Sequence, residues 1–205
     1  MLESETNLEI LLKGWKLVAR DPRLRLFVSA NLFEIFSNTI WVSSIILVFV
    51  TELLNKTESY WGYSNTAYSI GIIISGLIAF RLSEKFLASK WESILFSLIA
   101  MAIVTLTILY FPNAQMFLVF SALVGMLSQL KEVPESVFLQ ETVEENNLVN
   151  VYSVLEVIST LAFSVFVLLM SYITENFGIS ISFWISAICL MIEAILIYIR
   201  RDYFR

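Results

Sequence analysis

Histidine is absent from the 205 residues and cysteine occurs once, as Cys189. Without imidazole, Ser-His-Asp and Cys-His nucleophile systems are excluded, as are zinc sites that need histidine. A lone cysteine closes no intramolecular disulfide and forms no thiolate cluster, so no metal and no redox compartment follow from it. Charge is scarce too: 15% of residues are charged, against about 25% in an ordinary soluble domain. The net charge of −5 leaves no basic footprint for nucleic acid. Six glycines make no phosphate-binding loop, so no cofactor or nucleotide hydrolysis is expected. With no Ser/Asp pair at catalytic spacing, the chain does not read as an enzyme.

What the sequence does contain is apolar. Hydrophobic residues make up 58% of the chain and the mean hydropathy is +0.79. So few charges cannot cover that much apolar surface in water. The reading is an all-α integral membrane protein in a lipid bilayer. A spanning helix needs about 20 mostly apolar residues, and six windows qualify or nearly qualify: 26–50, 64–80, 94–111, 116–130, 151–173 and 179–199. The runs are continuous rather than alternating, which argues against barrel strands. Residues 1–25 lack the apolar core of a signal peptide. The sequence thus divides into a cytoplasmic amphipathic linker helix (1–25), a six-helix transmembrane domain (26–199) and a cytoplasmic tail (200–205).

Basic residues orient the bundle. Every lysine and arginine except Lys56 falls in the N-terminal segment, the second-to-third loop, the fourth-to-fifth loop or the tail, all on one side of a six-helix topology. The positive-inside rule puts both termini in the cytoplasm. Trp61 and Trp184 fall near the outer interface, Trp15 and Trp91 near the inner one. Lys131 is read as the snorkelling end of a short fourth helix, which the spacing of Val133, Val137, Phe138 and Val143 continues amphipathically past Pro134. In the N-terminal segment Leu8, Leu11, Leu12, Trp15 and Val18 share one helical face, as in an interfacial helix or a connecting helix of something larger.

Acids inside a membrane segment are costly, roughly 2.5–3.5 kcal/mol at the bilayer centre, and are functional candidates by default. Glu34, Glu156 and Glu193 lie within the windows, all in the cytoplasmic half. Glu34 sits about 12 Å from the start of its window at 1.5 Å per residue. Asn31, Glu34, Asn38 and Trp41 recur at steps of three, four and three, so they share one face. Such a stripe faces a cavity or another helix, as a pathway lining or a structural polar contact. Glu156 continues a face with Tyr152, Ser159 and Phe163, near the cytoplasmic mouth. Glu193 shares a face with Ser186, Cys189 and Ile197 and reads as a pathway group or a snorkelling carboxylate. No lysine or arginine is expected near mid-membrane to neutralise these acids, and the excess favours a proton site or a cationic or amphiphilic substrate. On the second helix Ala67, Gly71, Ser75 and Ala79 stand four apart, a small-residue face suited to close helix packing or to sliding.

Several stretches resemble the major facilitator superfamily. Gly14-Trp-Lys-Leu-Val-Ala-Arg-Asp-Pro-Arg-Leu-Arg25 is similar to the cytoplasmic linker before the seventh helix of these transporters, with the nearest likeness in the drug and macrolide efflux branch. Tyr60-Trp-Gly-Tyr-Ser-Asn-Thr-Ala-Tyr68 follows the same order. Gly76-Leu-Ile-Ala-Phe-Arg-Leu-Ser-Glu-Lys85 resembles the family's loop motif at Gly76, Arg81 and Lys85, with Phe80 at the acidic position and Ser83 at the second glycine. Val133-Pro134 and Gln140-Glu-Thr-Val143 are similar to the connection between the tenth and eleventh helices. The resemblance implies the C-terminal six-helix half of a twelve-helix transporter, a 3 + 3 inverted repeat with substrate held between the halves. It implies ion-coupled efflux of small amphiphilic compounds across a bacterial plasma membrane, with an N-terminal half or a second copy as partner. The alternatives are an inactive or truncated fragment and a half-size homodimer. In a bacterial protein the Asn55-Lys-Thr57 sequon carries no glycan.

Overall fold

The computed structural model describes residues 7–41 and 43–204, with side chains at 12–41, 45–81 and 89–204. It is all-helical, with no strand among the described residues. Helix α1 (Asn7–Arg20) ends at Asp21, and Pro22 opens α2 (Pro22–Asn38). The junction is local chemistry. Asp21 Oδ1 accepts the Arg23 backbone N–H at 2.8 Å, and Pro22 stands where a helix needs no N–H.

The first apolar window is not one continuous helix. A 3₁₀ turn (Thr39–Trp41) follows α2, then α3 (Ser43–Val48) and a π-helical turn (Phe49–Leu53). The parts Pro22–Trp41 and Ile45–Leu53 meet at 45°. Hydrogen bonds mark both departures from regular α geometry, the 3₁₀ turn before the bend and the π turn that ends the segment. The Thr39 hydroxyl takes the Phe36 carbonyl at 2.6 Å, and Leu54 N–H reaches back five residues to Phe49.

The remaining helices are α4 (Ser59–Ala88), α5 (Lys90–Tyr110), α6 (Ala114–Thr142), α7 (Glu145–Phe177) and α8 (Ile179–Ile199), closed by a 3₁₀ turn at Arg201–Phe204. All five are long and apolar enough to cross a membrane, and the bent pair makes a sixth crossing if counted as one. Most exceed their apolar windows because hydropathy stops at the first charged residue while the backbone ladder does not. Helix α6 runs on through Pro134 to Thr142. At 29 residues it is about 43 Å long, more than the hydrocarbon requires. Asn113 caps its start, accepting from Gln115 and Met116 N–H. Gly178, at φ 87°, makes the sharp reversal between α7 and α8 in a region that side chains other than glycine's avoid.

Two cores stabilise the bundle. One, toward the end that carries α1 and the C-terminal 3₁₀ turn, joins α2, α5, α6 and α8 through Phe27, Leu98, Phe138 and Leu190, and it takes in Phe204 from that turn. The Phe138 and Phe204 rings stack at 4.3 Å. The other, toward the opposite end, gathers Ile45, Phe49, Phe117, Met170 and Phe183. Helix α1 lies against α7, where a Cβ on Gly14 would run into the Asn150 carbonyl. The Leu8 and Leu11 side chains lie outside the described residues.

Candidate functional site

Asn31, Glu34, Asn38 and Trp41 share a face of α2 and its 3₁₀ extension, and the structure divides that face in two. In its lower half Glu34 meets a buried ammonium, with Asn31 bonded to the same carboxylate; its upper half, Asn38 and Trp41, lines a cavity.

The ammonium belongs to Lys131 and corrects the expectation that the membrane acids lack a counter-charge. Lys131 is no loop residue. It sits inside α6 with its side chain 2% exposed, and its Nζ donates to Glu34 Oε2 at 2.6 Å and to Glu135 Oε1 at 2.7 Å. Glu193 Oε1 stands at 3.5 Å. Three helices are thereby tied at one point: α2 through Glu34, α6 through Lys131 and Glu135, α8 through Glu193. Glu135 lies one turn from Lys131, the spacing at which opposite charges meet on a helix. Asn31 Nδ2 adds a bond to Glu34 Oε2 at 3.3 Å. Glu193 does not snorkel. Its side chain is 1% exposed, and its Oε2 has no hydrogen-bond partner among the described residues.

The cavity measures about 270 Å³ and opens between five membrane-crossing segments. Trp41, Trp61, Tyr68 and Phe163 supply aromatic faces; Asn38, Asn65, Ser121 and Ser128 supply neutral polar groups. None of its lining residues is charged. Trp41 is steadied by stacking on Phe117 at 6.3 Å, and the Tyr68 hydroxyl reaches Ser128 Oγ at 3.4 Å. A second hollow of about 380 Å³ adjoins it across Asn38 and Phe163, and here Glu156, Ser159 and Thr160 of α7 appear. Glu156 is exposed, in contrast to Glu34 and Glu193.

The small-residue face of α4 is turned to α6. Gly71, Ser75 and Ala79 are buried and Ala67 half-buried. A Cβ on Gly71 would fall on the Ala122 carbonyl, and one on Gly125 would fall on the Tyr68 carbonyl, so the two backbones touch at mid-helix. Ser75 Oγ meets no partner among the described residues, which assigns its presence there to size. Gly76 has nothing within 4 Å of a built Cβ and Arg81 is exposed. The Lys85 side chain lies outside the described residues.

Sequence reasoning missed Lys131 and Glu135 as members of the site. The available signal was their spacing of four on a helix already expected to run past Pro134. It placed Ser186 on the Glu193 face but missed its partner Ser37, the two hydroxyls bonding at 2.6 Å between α2 and α8.

The comparisons with known proteins agree with the fold. The family model for the Major Facilitator Superfamily matches residues 26–205. The chain is 26% identical over 185 residues to the uncharacterized MFS-type transporter YfmI of Bacillus subtilis (strain 168), covering 90% of this chain and 46% of that one. It is 28% identical over 183 residues to the uncharacterized MFS-type transporter YjbB of the same organism, covering 89% and 45%. The chain thus spans about half the length of the curated relatives it matches. Among solved structures, the in meso crystal structure of the POT family transporter PepTSo superposes with a TM-score of 0.68 at 17% identity, over 88% of this chain and 37% of that one. That likeness concerns the fold. By the match over residues 26–205, this chain belongs to the major facilitator superfamily.

Proposed function

We propose that the chain is the C-terminal six-helix half of a secondary transporter, exporting small amphiphilic compounds by alternating access, with ion coupling and with both termini in the cytoplasm. The observation that carries this reading is the uncharged, aromatic cavity beside an exposed polar stripe on α7. Glu156 and Thr160 are exposed within a helix whose apolar stretch is long enough to cross the bilayer. Polar groups at membrane depth face protein or a water-filled cavity, because lipid offers them no hydrogen bonds. The same face therefore calls for a partner, and an N-terminal half fits the relatives' greater length. The α4–α6 contact through Gly71 and Gly125 supplies a tight pair able to move as one body in a rocking cycle. Ala67, Ser75 and Ala79 extend that face. Gly76, Arg81 and Lys85 are proposed as the loop motif at the cytoplasmic mouth, and α1 as the linker from the preceding half.

Aromatic rings and neutral amides suit a lipophilic aromatic ligand, including a cation held over the rings. The test is co-expression with a six-helix N-terminal half in a bacterial host stripped of its own exporters. Ethidium accumulation should fall, and Trp41→Ala or Asn38→Ala should restore it. Accumulation unchanged by the pair, with both halves shown to be in the membrane, would overturn export of this ligand class. Cross-linking from Asn38→Cys in a Cys189→Ser background separates the partners: a product with the N-terminal half supports the split transporter, and one of twice the chain mass supports a homodimer.

A further inference from the structure

We infer that Glu193 is a proton-binding site, the seat of an exchangeable proton in the Glu34–Lys131–Glu135–Glu193 cluster. The inference deepens the transport reading by naming the coupling ion and its place. It rests on that reading only for what the proton drives, since binding is measurable in the chain alone.

Charge balance comes first. One ammonium faces three carboxylates, and all four side chains are shielded by α2, α6 and α8. Fully ionised, the cluster would hold two uncompensated negative charges in a dry interior, which costs several kcal/mol per ion. A single proton removes one of those two charges, and does so more cheaply than any rearrangement of three packed helices.

Geometry then selects the residue. Glu34 has the Lys131 ammonium at 2.6 Å and the Asn31 amide at 3.3 Å on the same oxygen. Glu135 has the ammonium at 2.7 Å. Glu193 has it only at 3.5 Å, on Oε1, while Oε2 is buried with no partner among the described residues. An unpaired acid hydroxyl at that point costs far less than an unpaired carboxylate oxygen. The step is a proton transfer alone: an O–H bond forms at Oε2, and the hydronium that supplies the proton leaves as water.

The surroundings contain few other titratable groups. Cys189 lies one turn back on α8, and Glu132 stands next to Lys131 on α6. Helix α5, packed along α8, carries Lys90 and Glu92 only at its start, where Lys90 pairs with Glu141. Arg201 is turned to Trp91 and Tyr198. On α7, Glu156 faces the separate hollow.

The proton's consequence runs through Lys131. With Glu193 neutral, the ammonium is shared between Glu34 and Glu135, as seen. With Glu193 charged, the ammonium is drawn toward α8 and its hold on Glu34 weakens. Asn38 stands one turn above Glu34 on α2, and Ser128 about one turn above Lys131 on α6, so the cluster is the floor beneath the cavity.

Infrared difference spectroscopy of the full chain in lipid nanodiscs tests this. At neutral pH the carbonyl stretch of a protonated carboxylic acid should be present, vanish in Glu193→Gln, persist in Glu156→Gln and grow in Lys131→Met. Cys189 supplies a second measurement in the unmutated chain. Its S–H stretch, the only one in the sequence, should shift over the same pH range in which the acid band disappears. An absent acid band, a band that survives Glu193→Gln, or an S–H stretch indifferent to the titration would each overturn the assignment. These outcomes stand whether or not ethidium is exported.

Discussion

The last two helices, α7 and α8, have nearly the same mean hydropathy over their most apolar stretches, 2.2 and 2.1, but half of that stretch is buried in α8 (50%) and only 11% in α7. Each carries one glutamate inside its apolar window. On α8, Glu193 is buried with the Lys131 ammonium at 3.5 Å, and Ser186, two turns away, is bonded to Ser37; on α7, Glu156 is exposed beside a hollow. Hydropathy reports what leaves water, and burial reports what meets protein. The two helices separate these properties: α8 is a strut of the bundle, and α7 presents a surface. The same acid side chain therefore has opposite expected consequences on the two helices, and the contrast is open to direct attack.

The strongest blow is Lys131→Met. Removing one partner of a buried ion cluster leaves the others uncompensated, at a cost of about 3–5 kcal/mol. We expect a loss of that size in detergent-resistant unfolding. Glu156→Gln on the exposed side should change stability by less than about 0.5 kcal/mol. Equal effects would erase the distinction between strut and surface.

A second contrast lies within α4. Gly71→Ala forces a Cβ onto the Ala122 carbonyl and should cost about 1–3 kcal/mol as α4 and α6 separate. Gly76→Ala, five residues on, meets open space and should stabilise the helix by about 0.5–1 kcal/mol through lost backbone freedom in the unfolded chain. Opposite signs from the same substitution, read as shifts in unfolding midpoint, mark the side of α4 that is packed.

Between α2 and α8 the Ser37–Ser186 bond at 2.6 Å predicts a smaller loss. Ser186→Ala should cost about 1 kcal/mol, whereas Thr160→Ala on the α7 surface should be close to neutral in the same assay.

Much of this architecture was legible in residue order. The number of spans followed from apolar length, and the shared face of Asn31, Glu34, Asn38 and Trp41 followed from helical period. The lining of a cavity by Trp41 and the close α4–α6 contact at Gly71 were visible as patterns, because small or polar residues at helical spacing have few other uses. Lys131 was not legible. A lysine at the end of an apolar run looks the same whether it snorkels to an interface or is buried among three carboxylates. The difference lies in which helices close over it, and helix pairing is tertiary information. The break after Asn38 escaped for a related reason: the apolar run resumes at Ile40 and keeps the window open, while a hydroxyl-to-carbonyl bond at Thr39 marks the tightening of the helix into a 3₁₀ turn.

The smallest effect tests the helix that touches both regions, since α2 packs against α7 and α8 alike. Its first turn is capped by Asp21, whose carboxyl is held below the usual carboxylate range, chiefly by the side-chain hydrogen bond from Arg23, with the Arg23 backbone N–H and charge helping and partial burial opposing. A value depressed by folding means stability that is complete above the ordinary carboxylate value near 3.8 and lost as pH falls through the lower folded value. Asp21→Ala should therefore cost about 0.5 kcal/mol at neutral pH, the low end for a partly exposed cap. The gap between the variant and the unmutated chain should close as the pH drops below about 4, where an ordinary carboxylate is protonated. Equilibrium unfolding at a series of pH values follows that gap. Because the cap orients α2 as a whole, the loss should leave the contrast between Lys131→Met and Glu156→Gln unchanged, and a cap variant that abolished it would place the α2 entry angle, rather than the ion cluster, at the root of the difference between α7 and α8.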